Sequence, residues 1–149
     1  MPGPGSPRAL PLVSFVLALL GLADAVYLTV AHFTTSAILA CSGGGLVDCA
    51  QVTTSPQSYL FGVPVAVLGL AYFLVAVVVY SPPLWRSTRP AVARVRLVSA
   101  AGAMAFVLWL LYAELILIGH ICLYCTGAHV IVFALFVLTV LSHTRPHAR

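Results

Sequence analysis

The chain has 149 residues, of which 62% are hydrophobic and only 7% charged, and its mean hydropathy is +1.10. A soluble domain carries roughly 25% charged residues, so there is too little polar surface here to coat a globule in water, and the expected solvent is lipid. The net charge of +4 comes from seven arginines and no lysine. These are not interleaved with aromatics, which excludes a nucleic-acid surface, and one domain is the natural count at this length.

In chain order, residues 1–11 are rich in Pro and Gly and too broken for regular structure. Residues 10–33 form the first apolar run. It is too long for the core of a signal peptide, and no small-residue cleavage site closes it cleanly. Hydropathy falls over residues 34–61, where Gly43, Gly44, Gly45, Asp48 and Pro56 mark a large loop. The second run covers 63–80, a linker with Pro82 and Pro83 follows, the third run covers 97–118 and the fourth 121–141. Each is about the 20 residues that a helix needs to cross a hydrocarbon core of roughly 30 Å. Backbone groups in lipid must be satisfied within the segment, so the runs are predicted to be helices. The expected fold is an all-α membrane protein, a bundle of four transmembrane helices with a large outer loop between the first two.

Arg8 precedes the first run, Arg86, Arg89, Arg94 and Arg96 lie between the second and third, and Arg145 and Arg149 follow the fourth. Four crossings put all seven on one side, which the positive-inside rule makes cytoplasmic together with both termini. Cys41, Cys49, Cys122 and Cys125 are the only cysteines, and all four fall on the outer, oxidising side.

Cys122 and Cys125 stand three residues apart in Ile121-Cys122-Leu123-Tyr124-Cys125-Thr126. Such a pair is a poor staple, because its loop is tiny and little unfolded-chain entropy is removed. At the first turn of a helix, the dipole and free N–H groups favour a thiolate instead. Cys41 and Cys49 bracket three consecutive glycines, so a mobile shuttle is expected there. Cys49 is the better placed of the two to reach Cys122 by thiol–disulfide exchange; Asp48 beside it either disfavours its thiolate or is simply a solvated loop acid. Two other readings stand beside this one: structural disulfides in a non-catalytic membrane protein, and a four-cysteine zinc site, which an oxidising exterior opposes. No metal is expected. Thr126 stands where c-type haem attachment would need histidine.

The order is then specific. A C-x7-C pair is followed by Ser55, by Phe61-Gly62-Val63-Pro64 leading to Gly69, and finally by C-x2-C opening the last apolar run. This layout resembles the vitamin K epoxide reductase family, its bacterial homologues in particular, over residues from about Leu12 to Leu141. The other family of four-helix proteins that couples disulfides to quinones has the two pairs in the reverse order. The resemblance implies a four-helix bundle around a membrane quinone, menaquinone or ubiquinone, in a bacterial cytoplasmic membrane. Electrons would come from a secreted thioredoxin-fold thiol oxidase acting in trans. By position, Cys41 would exchange with that partner, Cys49 with Cys122, and Cys125 would face the quinone, with Ser55 nearby. Phe61, Tyr72 and Tyr124 join the expected lining, although an aromatic such as Tyr72 is also ordinary bundle core. Vertebrate members have a quinone-contacting tyrosine where this chain has His129, which reads either as a donor to a quinone oxygen or as a histidine satisfied by a neighbouring helix. Their asparagine early in the second helix corresponds to Val65, which argues against vitamin K epoxide as a substrate.

Ionisable groups within spans are costly and default to functional suspects. Glu114 reads either as a proton donor for quinone reduction or as a neutral carboxyl packing helices together. Asp24 has the same standing, and His32 is expected at the interface.

Overall fold

The computed structural model describes residues 9–35, 38, 39, 41 and 44–144. Arg8, Arg145 and Arg149 lie outside them, as does Gly43. Helix α1 covers Ala9–Phe33. Its buried face runs Ser14, Ala18, Gly21, Ala25, Leu28, Ala31, a spacing of three and four that keeps one stripe inward. Most of these residues are small, which lets backbones approach closely, as helices in lipid require. The opposite face is apolar as well, with Leu12, Val16, Leu20 and Val30 exposed. A helix in water would carry charge there.

Gly21 is where α1 comes closest to its neighbour. A Cβ at that position would overlap the ring of Phe73, so only glycine fits. Phe73 belongs to α3, Val65–Val79, which also meets α1 where the Thr29 hydroxyl donates to the Ala66 carbonyl at 3.2 Å. At 15 residues, α3 is about 22 Å long and shorter than the expected 63–80 run. Pro64 explains the trimmed start. Its backbone is extended and it caps α3, while Val63–Pro64 pairs as β2 with β1, Tyr59–Leu60.

The expected linker after α3 contains a short helix, α4, Pro82–Trp85. Helix α5 then covers Pro90–Tyr112, starting well before Leu97. Hydropathy missed this start because Arg94 and Arg96 occupy its first turns, although Pro90 at the first helical position is itself favourable. From Ala113 to Ile118 the helix widens into a π turn, closed by the Gly119 N–H donating to the Glu114 carbonyl at 2.9 Å. Gly119 ends it in the left-handed region at φ 72°, a conformation that glycine adopts without strain. Helix α6 covers Leu123–Thr144, running past the expected end at Leu141.

Three of these helices, α1, α5 with its π turn, and α6, are long and apolar enough to cross a membrane, and α3 is a shorter apolar one. α1 packs against both α3 and α6, and α5 packs against α6. α3 and α5 touch only sparsely, which leaves a seam between them. Ala18, Phe73, Ala76, Val132 and Leu135 form the apolar centre. Beyond it, at the end of the bundle away from the cysteines, the Tyr80 and Thr139 hydroxyls share a hydrogen bond of 2.8 Å.

Candidate active site

The segment expected as a mobile glycine loop is tied down at its cysteine end. Ile121 N–H donates to the Leu46 carbonyl at 2.7 Å, and Asp48 N–H donates to the Ile121 carbonyl at 3.1 Å. Val47 and Ile121 thus form a single parallel bridge. Two residues after Val47 comes Cys49, and one after Ile121 comes Cys122. The bridge therefore brings both into one buried cluster with Leu28, Ala31, Leu39 and Val52. Cys41 and Cys125 pack against the same cluster.

Asp48 has a different task from the one its position beside Cys49 suggested. It is the N-cap of α2, Cys49–Thr53, and its carboxylate accepts from the Gln51 N–H at 3.0 Å. The first turn of α2 is thus fixed with Cys49 as its first residue. Cys41 and Cys49 are joined by a disulfide, with Cα atoms 5.7 Å apart, while Cys122 and Cys125 are free.

Cys122 sits immediately before α6. Its carbonyl accepts from the Thr126 N–H at 2.9 Å and its sulfur from the Cys125 N–H at 3.3 Å. The side chain therefore caps the helix in the way that an oxygen usually does. The Cys125 thiol, donating to the Cys122 sulfur, holds the Cys122 thiol below its ordinary value. Backbone N–H groups of Cys125 and Tyr124 act in the same sense, against burial and the charge of Glu114.

Between the sulfur cluster and the sparse α3–α5 seam lies a cavity of about 340 Å³. Ser55, Tyr72, Glu114, Cys125 and His129 line it, and Cys122 does not. One thiol of the pair thus faces the disulfide cluster and the other the cavity. The His129 Nδ1 and the Tyr72 hydroxyl are buried without a hydrogen-bond partner among the described residues. Glu114 is buried, and the widened π turn carries it to the cavity wall. Asp24 does not line the cavity, and its Oδ2 is buried without a partner.

Two expected lining residues lie elsewhere. Phe61 is 98% exposed, because Phe61 (φ 51°) and Gly62 form the two-residue tip of the β1–β2 hairpin. A turn with positive φ at both central residues projects its side chains away from the body. Tyr124 is off the cavity but packs against the sulfur cluster, and against Tyr27 with ring centroids 5.0 Å apart.

Sequence reasoning also missed residues that the cavity gathers. His32, expected at the interface, lines it together with Thr53 and Gln57. His32 lies four and seven residues beyond Leu28 and Ala25, which also line the cavity, and that helical spacing was the available signal. Gln57 had none, since it stands in a short 3-10 turn, Pro56–Ser58. Among the described residues, no group of three or more His, Cys, Asp or Glu side chains could hold a metal ion.

A helical bundle that is apolar on its outer faces, with a disulfide and a free C-x2-C pair in one buried cluster, defines a membrane protein equipped for thiol–disulfide chemistry. The model of the vitamin K epoxide reductase family matches residues 12–140, and the chain belongs to that family. Membership supports a membrane thiol–disulfide oxidoreductase.

Proposed function

We propose that the chain is a quinone-dependent disulfide-forming enzyme of a bacterial cytoplasmic membrane, crossing it four times. Together with Val63, Pro64 and Tyr80, α3 reaches the lower end of spanning length. Arg86, Arg89, Arg94 and Arg96 lie at the opposite end of the bundle from the cysteines, which supports an arginine-bearing end inside and the sulfur cluster outside.

A thiolate of a secreted thioredoxin-fold partner attacks the Cys41 sulfur, and Cys49 leaves as a thiolate. The partner's second thiol then displaces Cys41, so the partner departs oxidised and the loop pair is left reduced. Cys49 next attacks the Cys122 sulfur of an oxidised Cys122–Cys125 pair, and Cys125 leaves as a thiolate at the cavity wall. Attack by Cys41 on Cys49 restores the state described above. The same depression that favours a Cys122 thiolate makes Cys122 a good leaving group when that mixed disulfide resolves.

A quinone fits the cavity. The walls are mostly apolar, and the donors it would need, at His129 and Tyr72, are buried and unpartnered. Bound there, it supplies a two-electron, two-proton acceptor (menaquinone or ubiquinone). His129 and Tyr72 orient its oxygens, Glu114 holds a proton at the cavity wall, and the α3–α5 seam admits the ring from the lipid.

The observation carrying this reading is that Cys125 belongs to both the sulfur cluster and the cavity wall. Purified protein given a reduced thioredoxin-fold partner and a soluble quinone is expected to consume the quinone, and Cys125→Ala to abolish consumption. In Cys125→Ala a Cys49–Cys122 bridge is expected to accumulate. Undiminished turnover in that variant would remove Cys125 from the pathway, and a wild type that consumes no quinone would leave the second reading, a non-catalytic membrane protein with a structural disulfide.

A further inference from the structure

Arg96 is the least comfortable charge in the molecule. It is 6% exposed, and its Nε and Nη1 are buried with no hydrogen-bond partner among the described residues. Its guanidinium carbon lies 4.0 Å from the centre of the Trp85 ring, a contact that orients the cation without neutralising it. A buried, unpaired cation is strongly destabilising, and its ordinary remedy is an anion.

The chain has no carboxylate side chain to offer. It contains only three acidic residues, Asp24, Asp48 and Glu114. Asp48 and Glu114 lie at the cysteine end. Asp24 is separated from this end by the apolar centre of the bundle. The packing of Gly21 on Phe73 and of Thr29 on Ala66 sets an antiparallel register that puts Ser14 level with Tyr80. Asp24 is ten residues further along α1, about 15 Å of helix rise. Ser14, whose hydroxyl is also buried without a partner, marks the same layer.

Beside the arginine runs an apolar groove of about 250 Å³ lined by Val79, Leu84, Ala91, Val92 and Val95. Val92 and Arg96, four residues apart on α5, share a flank. Tyr80 and Trp85, the groups nearest the guanidinium, directly follow the groove residues Val79 and Leu84. A cation without a counter-ion among the described residues, next to an apolar groove that can take part of an acyl chain, has the two halves of one ligand.

We infer that Arg96, backed by Trp85 and flanked by the Val79–Val95 groove, is the seat of an anionic phospholipid, its phosphate on the guanidinium and a chain in the groove. Arg86, Arg89 and Arg94 are exposed around it. They attract anionic lipid to the surface in general, but only Arg96 is desolvated enough to hold one molecule. The inference is independent of the quinone reading and needs only that the bundle sits in a membrane.

The test reconstitutes the full chain in nanodiscs containing equal phosphatidylcholine and phosphatidylglycerol and counts retained lipid by native mass spectrometry. Both lipids carry a phosphate, but the choline cation of phosphatidylcholine is repelled by the buried guanidinium, so one phosphatidylglycerol is expected to be retained about tenfold over phosphatidylcholine. Retention should persist in the Arg86→Gln, Arg89→Gln, Arg94→Gln triple variant, disappear in Arg96→Gln, and resist excess inorganic phosphate. Equal retention of the two lipids by the wild type, loss of preference in the triple variant, or displacement by inorganic phosphate would overturn the site. The first and third need no substitution, so the proposal stays testable even if Arg96→Gln does not fold.

Discussion

Replacing Gly21 by alanine pits two effects against each other. In an exposed helix interior this change stabilises, because alanine restricts the unfolded chain and favours the helix by roughly 0.5–1 kcal/mol. At Gly21 the added methyl would overlap the Phe73 ring, with Cδ1 and Cζ at 2.5 Å, whereas carbon atoms pack at about 3.5–4.0 Å. Cε1 is closer still, so the ring, or the whole of α3, must retreat by about 1.5–2 Å. Phe73 is buried in the apolar centre and can give way only toward the cavity, out of its packing with α1, so the overpacking cost of about 1–3 kcal/mol should dominate. Gly21→Ala is therefore expected to lower thermal stability in detergent. Phe73 also lines the cavity, so the variant should bind quinone less tightly as well. Phe73→Leu in the Gly21→Ala background should recover part of the loss, giving a coupling in the range of about 0.5–3 kcal/mol for side chains in contact. A Gly21→Ala protein as stable as the wild type, or a double variant whose losses simply add, would refute the close α1–α3 approach.

The remaining predictions concern the site. Asp48→Ala should destabilise the α2 turn by about 1 kcal/mol and speed reduction of the Cys41–Cys49 disulfide by small thiols, whereas Asp48→Asn, which keeps the acceptor, should do neither. Equal effects from both would point to charge rather than capping. Since the Cys122 value is depressed, its reactivity toward a small maleimide should rise with pH at a lower midpoint than the ordinary thiol value near 8.5. Glu114→Gln, by removing the opposing charge, should lower that midpoint further; an unshifted profile would contradict the capping geometry. His129→Phe should raise the KM for quinone by roughly two- to tenfold, the worth of one neutral hydrogen bond, with the KM for the thiol partner unchanged. Unaltered quinone affinity would remove His129 from the site.

Hydropathy made α1 and α6 legible to within a few residues, because lipid demands length and apolarity together. It failed at the start of α5, where arginines occupy helical turns that a hydropathy window reads as linker, and at the start of α3, where Pro64 holds the chain extended. The cysteine spacing made the two sulfur pairs visible, but not what joins them. The bridge between Val47 and Ile121 is made of backbone groups alone, which leave no mark in side-chain pattern. Three glycines suggested motion in a segment that two hydrogen bonds tether. Asp48 was read through its charge when its oxygen mattered more, and Phe61 was misjudged because a hairpin tip turns it outward.

The Val47–Ile121 bridge also divides the loop into a part that tolerates change of length and a part that does not. Extra residues between Gly44 and Gly45 would open the exposed turn that the Gly44–Val47 bridge closes, but would leave the Val47–Ile121 tether in register. A single residue inserted between Val47 and Cys49 would displace the start of α2 relative to Ile121 and carry one sulfur away from the other. Chain length is therefore negotiable on the glycine side of this loop and fixed on the other, a boundary that grafts and loop transplants into this scaffold will have to respect.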